Sequence, residues 1–212
     1  NSFWYCLMAL PSSGTITLNE IHIEAGGTTD TLASINDSDI RALIGKADGA
    51  EMSFTEWYGA SSGIVVTVTE GSDIFTTSAY YGFREEQNPD IGSVSPTSIS
   101  FDGKTHPVRD AYRRVSRSDG VDNDATSAFW FILYNASDGT VPADDWFTSV
   151  EVQTTGAAAT LTPAEATIVT SGSGATGRKE WRFFSSDFTA TELTNFSAQW
   201  DGSGTSTATF TE

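Results

Sequence analysis

The stretch Phe129-Trp130-Phe131-Ile132-Leu133-Tyr134 is the most apolar run of the chain, and it decides the fold class. Polar and apolar residues do not alternate within it, which is typical of a central strand covered on both faces. The run Ile64-Val65-Val66-Thr67-Val68-Thr69 is β-branched throughout and predicts another strand. We therefore interpret both runs as strands of a sheet.

Similar short runs recur along the rest of the chain, between turns that are rich in Gly, Ser, Asn and Asp. Asp102-Gly103 stands between two such runs, and this dipeptide is a strong signal for a two-residue hairpin. Further strands are predicted at residues 75–83, 112–115, 146–152, 166–170, 179–184, 196–200 and 206–211. A capped turn is predicted at residues 189–193. The pattern predicts a mainly β chain in which residues 62–212 form an antiparallel β-sandwich.

Upstream of the strands, one short phrase occurs three times with small changes. Its copies are Ile16-Thr17-Leu18-Asn19-Glu20-Ile21, Ser34-Ile35-Asn36-Asp37-Ser38-Asp39-Ile40 and Met52-Ser53-Phe54-Thr55-Glu56-Trp57. In each copy a hydroxyl or amide residue stands three positions before an acid, as in a helix capping box. The predicted pairs are Thr17 with Glu20, Asn36 with Asp39 and Ser53 with Glu56, and the predicted helix ends are Gly26, Gly45 and Gly59. We therefore predict a small module of short capped helices over residues 15–61.

Helices this short are not stable alone, so their apolar side chains must be buried against something. The residues concerned include Leu18, Ile21, Ile40, Phe54, Trp57 and Tyr58. Two interpretations remain open: the module packs on itself, or its apolar side meets another subunit, which makes these six residues candidates for a subunit interface. Residues 1–14 are predicted to form an N-terminal arm. Its apolar run, residues 3–10, is too short to span a bilayer and either docks into a neighbouring subunit or packs against its own chain.

The charge of the chain limits its partners. Its 212 residues include 28 Asp+Glu and 11 Lys+Arg, which gives a net charge of −17 and a pI near 4.2. Such a chain has few cations for the phosphates of nucleic acids or for anionic membranes, so we expect neither partner. Cys6 is the single cysteine, which excludes an intrachain disulfide.

No residue pattern predicts a catalytic residue, a cofactor or a metal. His22 and His106 have no Cys or His near them at metal-ligand spacing, so we expect packing or surface roles for both. The loop of residues 119–124 is rich in acids but lacks the order of a calcium-binding loop, and a solvated turn and a cation site both remain open. No Gly-x-Ser-x-Gly nucleophile elbow precedes a predicted helix in this chain.

Two further groups of residues have alternative interpretations. Trp146, Trp181 and Trp200 either pack in the core or stack on a sugar. The basic residues that crowd into one stretch are Lys104, Arg109, Arg113, Arg114 and Arg117. These cations either pair with acids of their own chain or contact the acidic face of another subunit. For the second interpretation Arg113 and Arg114 are the interface candidates.

The three phrases resemble segments of the form ISLNDI, SLNDSAVRALIG and GAISMSDFYGKS in structural proteins of tailed-bacteriophage virions. The similar segments here are residues 16–27, 34–45 and 49–61. The resemblance implies a non-enzymatic virion protein, assembled in the host cytoplasm, whose partners are other virion proteins and copies of itself. It favours a tail component, such as a baseplate, tail-tip, adaptor or fibre protein, that attaches through residues 15–61. The alternatives are a capsid decoration or head-fibre protein and a lectin-like module that binds a host surface glycan.

Overall fold

The computed structural model describes Leu10 and residues 14–44, 46–47, 49–58, 63–85, 90–101 and 103–211. The chain divides into a smaller unit, residues 1–64 with 211–212, and a larger unit, residues 65–210. Most of the predicted arm, residues 1–9 and 11–13, lies outside the described residues, as does the predicted boundary at residues 61 and 62.

Short helices make up the smaller unit. They are α1 (Leu18–Glu24), α2 (Ser38–Ala42) and a 3₁₀ turn (Phe54–Trp57). The Thr17 hydroxyl accepts from the backbone N–H of Glu20 at 3.2 Å, and the Glu20 carboxylate accepts from the N–H of Thr17 at 2.7 Å. Ser53 and Glu56 form the same reciprocal box at the 3₁₀ turn. Two of the three predicted capping boxes are therefore confirmed.

The second phrase is arranged differently from the other two. α2 begins after Asp37, whose side chain makes no capping hydrogen bond to the helix. The Asp37 carboxylate instead accepts from the backbone N–H of Ser34 at 2.7 Å, and the Asn36 amide oxygen accepts from Arg41 at 3.2 Å. The predicted box of Asn36 and Asp39 is wrong, because a buried arginine binds the Asn36 side chain.

Glycine ends α1 as predicted. Gly26 has a φ of +88°, and the N–H groups of Gly26 and Gly27 donate to carbonyls of the last turn at 2.9 and 2.7 Å. This pair of bonds is a Schellman ending, which favours glycine because the residue after the C-cap is left-handed. The other predicted helix ends, Gly45 and Gly59, lie outside the described residues.

Strands and one helix make up the larger unit and its junction with the smaller one. The strands are β1 (Ile64–Thr69), β2 (Gly71–Ile74), β3 (Ser78–Arg84), β4 (Ser93–Ser95), β5 (Ser98–Phe101), β6 (Lys104–Ser118), β7 (Val121–Tyr134), β8 (Ser149–Val152), β9 (Ala159–Leu161), β10 (Thr167–Ser171), β11 (Arg178–Phe183) and β12 (Thr205–Thr211). The helix is α3 (Ala190–Gln199). One sheet has the order β4-β1-β12-β8-β9, and the other has the order β10-β11-β7-β6-β3-β2 with β5 paired to β6. The two antiparallel sheets pack together as a β-sandwich, which confirms the predicted fold class.

The apolar run of residues 129–134 forms the end of β7, between β6 and β11. Its central position is therefore confirmed. Phe131 lies opposite Ala111 on one neighbour and Trp181 on the other. The Phe131 ring packs on Phe210 with centroids 4.4 Å apart and on Trp146 at 6.5 Å. Rings from several strands thus meet in one aromatic core, and aromatic side chains bury large apolar areas.

Residues 196–200, predicted as a strand, belong instead to α3 and its C-cap. The helix starts at the predicted capped turn, where the Glu192 N–H donates to the Thr189 hydroxyl at 3.3 Å. Phe196 and Trp200 are four residues apart, so they share one helix face, and both are buried against Phe129. The strand prediction is wrong because a five-residue run with an aromatic residue at each end fits a strand and a helix equally well.

Candidate interaction surfaces

The core of the smaller unit contains several of the residues predicted for a subunit interface. Ile21, Ile40 and Trp57 are 0% exposed and form one apolar cluster with Leu10, and Leu18 packs against it. The Trp57 Nε1–H donates to the Ile40 carbonyl at 3.3 Å. For these residues the module packs on itself, as the first of the two interpretations predicted.

Arg41, a residue without a predicted role, holds the loop that follows α2. Its side chain is 2% exposed. Nε and Nη2 donate to the Ala47 carbonyl at 3.1 and 2.8 Å, and Nη2 also donates to the Ala50 carbonyl at 2.7 Å. Nη1 donates to Asn36 Oδ1 at 3.2 Å and to Met52 Sδ at 2.9 Å. The five donors of a guanidinium are thus all used. The sequence contains no local signal for this role, because the carbonyls that Arg41 binds lie six and nine residues further on.

Among the described residues of the smaller unit, two large apolar side chains are exposed. Leu32 is fully exposed, and Phe54 is 47% exposed. Tyr58 is half-buried and donates its hydroxyl to the Gly14 carbonyl at 2.6 Å. Of the six apolar residues predicted for a subunit interface, Phe54 is the one whose side chain is mainly on the surface.

The paired glycines at the end of α1 enclose a histidine. His22 is 9% exposed, and its Nε2 lies 2.8 Å from the Thr31 hydroxyl. Because that hydroxyl donates to the Thr28 carbonyl at 2.7 Å, it accepts from His22 Nε2–H. Gly27 lies so close to the imidazole that a Cβ there would overlap the ring. His22 has the packing role expected for it, and His106 is likewise buried, in the larger unit.

Arg113 lies inside the larger unit and is 2% exposed. Its Nε donates to the Ser127 hydroxyl at 2.9 Å, and Nη1 donates to the carbonyls of Ser197 and Trp200 at 3.2 and 3.1 Å. Nη2 pairs with Asp124. Burial lowers the pKa of Arg113, and the charge of Asp124 opposes that shift. Internal pairing, the first of the two interpretations, therefore applies to Arg113.

Three neighbours of Arg113 are also paired within the chain. Ion pairs join Lys104 to Asp138, Arg109 to Asp110 and Arg117 to Asp122. The Arg117 Nε and the Asp122 carboxylate are 2.8 Å apart, without the alignment of a hydrogen bond. Of the five crowded cations, Arg114 is the one for which contact with another subunit remains open.

The acidic loop of residues 119–124 uses its carboxylates within the chain. The Tyr81 hydroxyl donates to Asp122 at 2.6 Å, and Asp124 pairs with Arg113. Burial, with the hydrogen bond to Asp122, raises the pKa of Tyr81 to about 12. Across the residues that the structure describes, no three His, Cys, Asp or Glu side chains are grouped so that they could hold a metal ion.

Arg114 follows Arg113 on β6 and so points to the other side of the sheet, away from the aromatic core. Cross-strand pairing places residues of four neighbouring strands on that side, because Tyr80 lies opposite Arg114, and Trp130 lies opposite both Tyr112 and Arg182. We call the set Tyr80, Arg84, Tyr112, Arg114, Trp130 and Arg182 the aromatic–arginine face.

Rings and guanidinium groups stack along the aromatic–arginine face. Arg182 lies 4.1 Å over the Trp130 ring, and Trp130 stacks on Tyr112 with centroids 5.7 Å apart. Arg84 lies 3.9 Å over the Tyr80 ring. Contacts of this kind between a guanidinium and a ring stabilise both groups and fix the orientation of the arginine.

Gly82 makes room for this stacking. It lies opposite Tyr112 and has a φ of +136°. A Cβ at this position would lie 2.5 Å from the Ala111 carbonyl oxygen and 2.8 Å from Tyr112 Cα. Glycine is therefore required here, and the absence of a side chain lets Tyr112 pack beside both Tyr80 and Arg84.

The acids on this side of the sheet are already paired. Ion pairs join Arg84 to Asp73 and join both Arg178 and Arg182 to Glu180. Arg114 is half-buried and forms no ion pair with an acid among the described residues. Burial by itself would raise the pKa of Tyr80, but hydrogen bonds with Arg114 and Ser78, together with the nearby positive charge, outweigh burial and lower it.

The three tryptophans considered for sugar stacking lie in the core. Trp146 is 6% exposed, and Trp181 and Trp200 are 0% exposed, so core packing is confirmed for all three. Trp130, which had no predicted role of its own, is partly exposed instead. An open groove of about 520 Å³ lies elsewhere in this unit, and its lining includes Phe83 and Tyr134.

No helix in the described part of the chain is long and apolar enough to cross a bilayer. Comparisons with protein-family models, with curated proteins and with solved structures find no match for this chain.

Proposed function

We propose that this chain is a non-enzymatic structural protein of a tailed-bacteriophage virion and that it belongs to the tail, as a baseplate, tail-tip, adaptor or fibre component. The observation that supports the proposal is the folding of the three phrases. The phrases that resemble virion-protein segments share one apolar cluster through Ile21, Ile40 and Trp57. Two of them are closed by capping boxes within the phrase itself.

In this proposal the smaller unit is the attachment module. Its apolar core is buried within the unit, so the contacts with other proteins must be made by exposed side chains. Of these, Leu32 and Phe54 are large and apolar. In this proposal a partner covers these two side chains and removes their apolar surface from water. The partners are other virion proteins and copies of the chain, and a host surface glycan is an additional partner in the lectin-like alternative.

The first experiment locates the protein on the particle. Purified phage particles are first analysed for the protein by mass spectrometry and are then labelled with an immunogold antibody against the whole chain. Label confined to the tail supports the proposal. Label spread over the head would replace it with capsid decoration, and particles that lack the protein would refute a virion role.

The second experiment tests attachment through the smaller unit. The double variant Leu32→Ser with Phe54→Ala keeps the buried cluster intact, and we expect it to be depleted from particles relative to wild type. The matched control is Val141→Ala, which shortens an apolar side chain of the larger unit that is 42% exposed. Normal incorporation of the double variant would contradict attachment through these side chains.

A further inference from the structure

The aromatic–arginine face is unusual in so acidic a chain. Four arginines lie on this side of the sheet, Arg84, Arg114, Arg178 and Arg182, in a protein with 11 Lys+Arg against 28 Asp+Glu. Two of them share one carboxylate, Glu180, which is 3% exposed. Arg114 has no carboxylate partner among the described residues. Three carboxylates, Asp73, Asp110 and Glu180, lie on the same side as these four arginines, so this side of the sheet has a small net positive charge.

The stacking determines which part of each group is available to a partner. Arg182 covers the Trp130 ring and Arg84 covers the Tyr80 ring, at 4.1 and 3.9 Å. Because the ring faces are covered, a neutral sugar has no free ring on which to stack. The N–H groups along the edges of Arg84 and Arg182 already bind Asp73 and Glu180, so Arg114 is the arginine whose edge can take a carboxylate from a partner. The face is therefore suited to carboxylate groups.

Arg114 is the central group for such contacts. Its guanidinium carbon lies 6.0 Å from the Tyr80 ring and 5.8 Å from the Trp130 ring, so it sits between two aromatic side chains. It is half-buried, which reduces screening by water and salt. A cation held in this way, without an acid of its own among the described residues, gains the most from a carboxylate brought by a partner.

We propose that the aromatic–arginine face binds the acidic surface of a second copy of this chain. Copies with a net charge of −17 repel one another over most of their surface, so a contact between copies requires a face of opposite sign. The same net charge repels nucleic acid.

The sign of the charge also fixes the type of contact. Two aromatic–arginine faces repel each other, so the face of one copy meets a different, acidic patch of the next. Such a contact is heterologous, and repetition of it gives a closed ring or an open filament rather than a two-fold dimer. This inference does not depend on the attachment role of the smaller unit.

Sedimentation velocity of the full chain, over a range of protein and salt concentrations, tests the proposal. We expect wild type to form species larger than a monomer at low salt and to dissociate as salt rises, because charged contacts are screened. Arg114→Glu should weaken association at least roughly tenfold, as loss of a close charge contact does. Lys104→Glu is the matched control, since it makes the same charge change on β6 at a side chain that pairs with Asp138.

Folding of the variants is checked by circular dichroism, and Arg114→Gln replaces Arg114→Glu if the latter does not fold. Mixing gives a second readout: Arg114→Glu still offers its acidic patch, so it should bind wild type and shorten the assemblies. A wild-type chain that stays monomeric throughout, or an Arg114 variant that associates like wild type, would overturn the proposal. A monomeric chain that binds immobilised acidic glycans through Arg114 would assign the face to a glycan and equally overturn it.

Discussion

The two units of this chain are stabilised by different interactions. The buried apolar cluster of the smaller unit comprises Leu10, Ile21, Ile40 and Trp57, and capping boxes and the Arg41 contacts close the chain around it. The larger unit has an aromatic core to which both sheets and α3 contribute. A small unit buries a smaller fraction of its surface than a large one. A single polar side chain therefore has more influence on folding in the smaller unit than in the larger one.

Replacement of Arg41 should have the largest effect. In Arg41→Met the carbonyls of Ala47 and Ala50 and the amide of Asn36 lose their donor, at on the order of 1–3 kcal/mol for each buried group left unpaired. A unit of this size has only a few kcal/mol of stability, so we expect the smaller unit to unfold while the larger unit stays folded. Hydrogen exchange measured by mass spectrometry should show that the amides of α1 lose protection and that those of β6 and β7 keep it.

The control for Arg41→Met is Lys46→Met. Lys46 also lies in this unit, but its side chain is one-third exposed, whereas that of Arg41 is buried. Lys46 pairs with Glu56 at 2.7 Å near the surface. Such pairs contribute little to stability, so α1 should keep its protection in this variant. Full protection of α1 in Arg41→Met would mean that the apolar cluster alone stabilises the smaller unit, and the contrast between the units would fail.

Removal of equivalent caps in the two units should have an intermediate effect. Thr17 caps α1 and Thr189 caps α3 through the same reciprocal box with a glutamate. Each substitution by alanine should cost about 1 kcal/mol. The same cost shifts the melting temperature of a small domain more than that of a large one, roughly 4–8 °C against 2–4 °C. Calorimetry of Thr17→Ala and Thr189→Ala checks this, and a larger shift from Thr189→Ala would contradict it.

A buried carboxyl of the larger unit should have the smallest effect, and one that depends on pH. Glu70 is 9% exposed, its Oε1 accepts from the Ser206 hydroxyl at 2.5 Å, and its Oε2 accepts from the Gly202 N–H at 2.8 Å. Burial raises the pKa of Glu70 above its ordinary value of 4.5, and the hydrogen bonds oppose this shift without cancelling it. The protonated form is therefore the one that folding favours.

The sign of the pH dependence follows from this shift. The stability that Glu70 contributes is complete below pH 4.5 and is lost as pH rises through the raised pKa. The free energy of unfolding of wild type, measured relative to Glu70→Gln by urea denaturation, should thus fall between pH 4.5 and neutral pH. A difference that rises with pH would show that the bonds from Ser206 and Gly202 outweigh burial.

Much of the fold follows from local signals in the sequence. β1 has the bounds of its β-branched run, residues 64–69, because side-chain shape within a strand is a local property. The caps at Thr17, Ser53 and Thr189 follow from residues three positions apart, since both partners lie in the same turn. The wrong strand prediction at residues 196–200 has a related cause. A cap indicates helix only for the turn next to it, and the cap of α3 lies seven residues before Phe196.

The candidate surfaces follow less directly from the sequence. Arg113 and Arg114 are neighbours in one basic stretch, yet one is buried among backbone carbonyls and the other lies on the opposite side of the sheet. Alternation along a strand predicts that they point in opposite directions. It does not predict which side packs on the core, because that depends on α3 and on strands far away in the chain.

By itself the sequence determined the fold class, the acidic charge and the capped phrases. Strand propensity and capping depend on a few neighbouring residues, and net charge depends on composition alone. Tertiary structure alone decided that Arg41 binds the loop after α2, that Trp146, Trp181 and Trp200 are buried, and that Trp130 stacks between Tyr112 and Arg182. These contacts join residues brought together by strand pairing and loop closure, and a linear pattern contains no record of which distant residues meet.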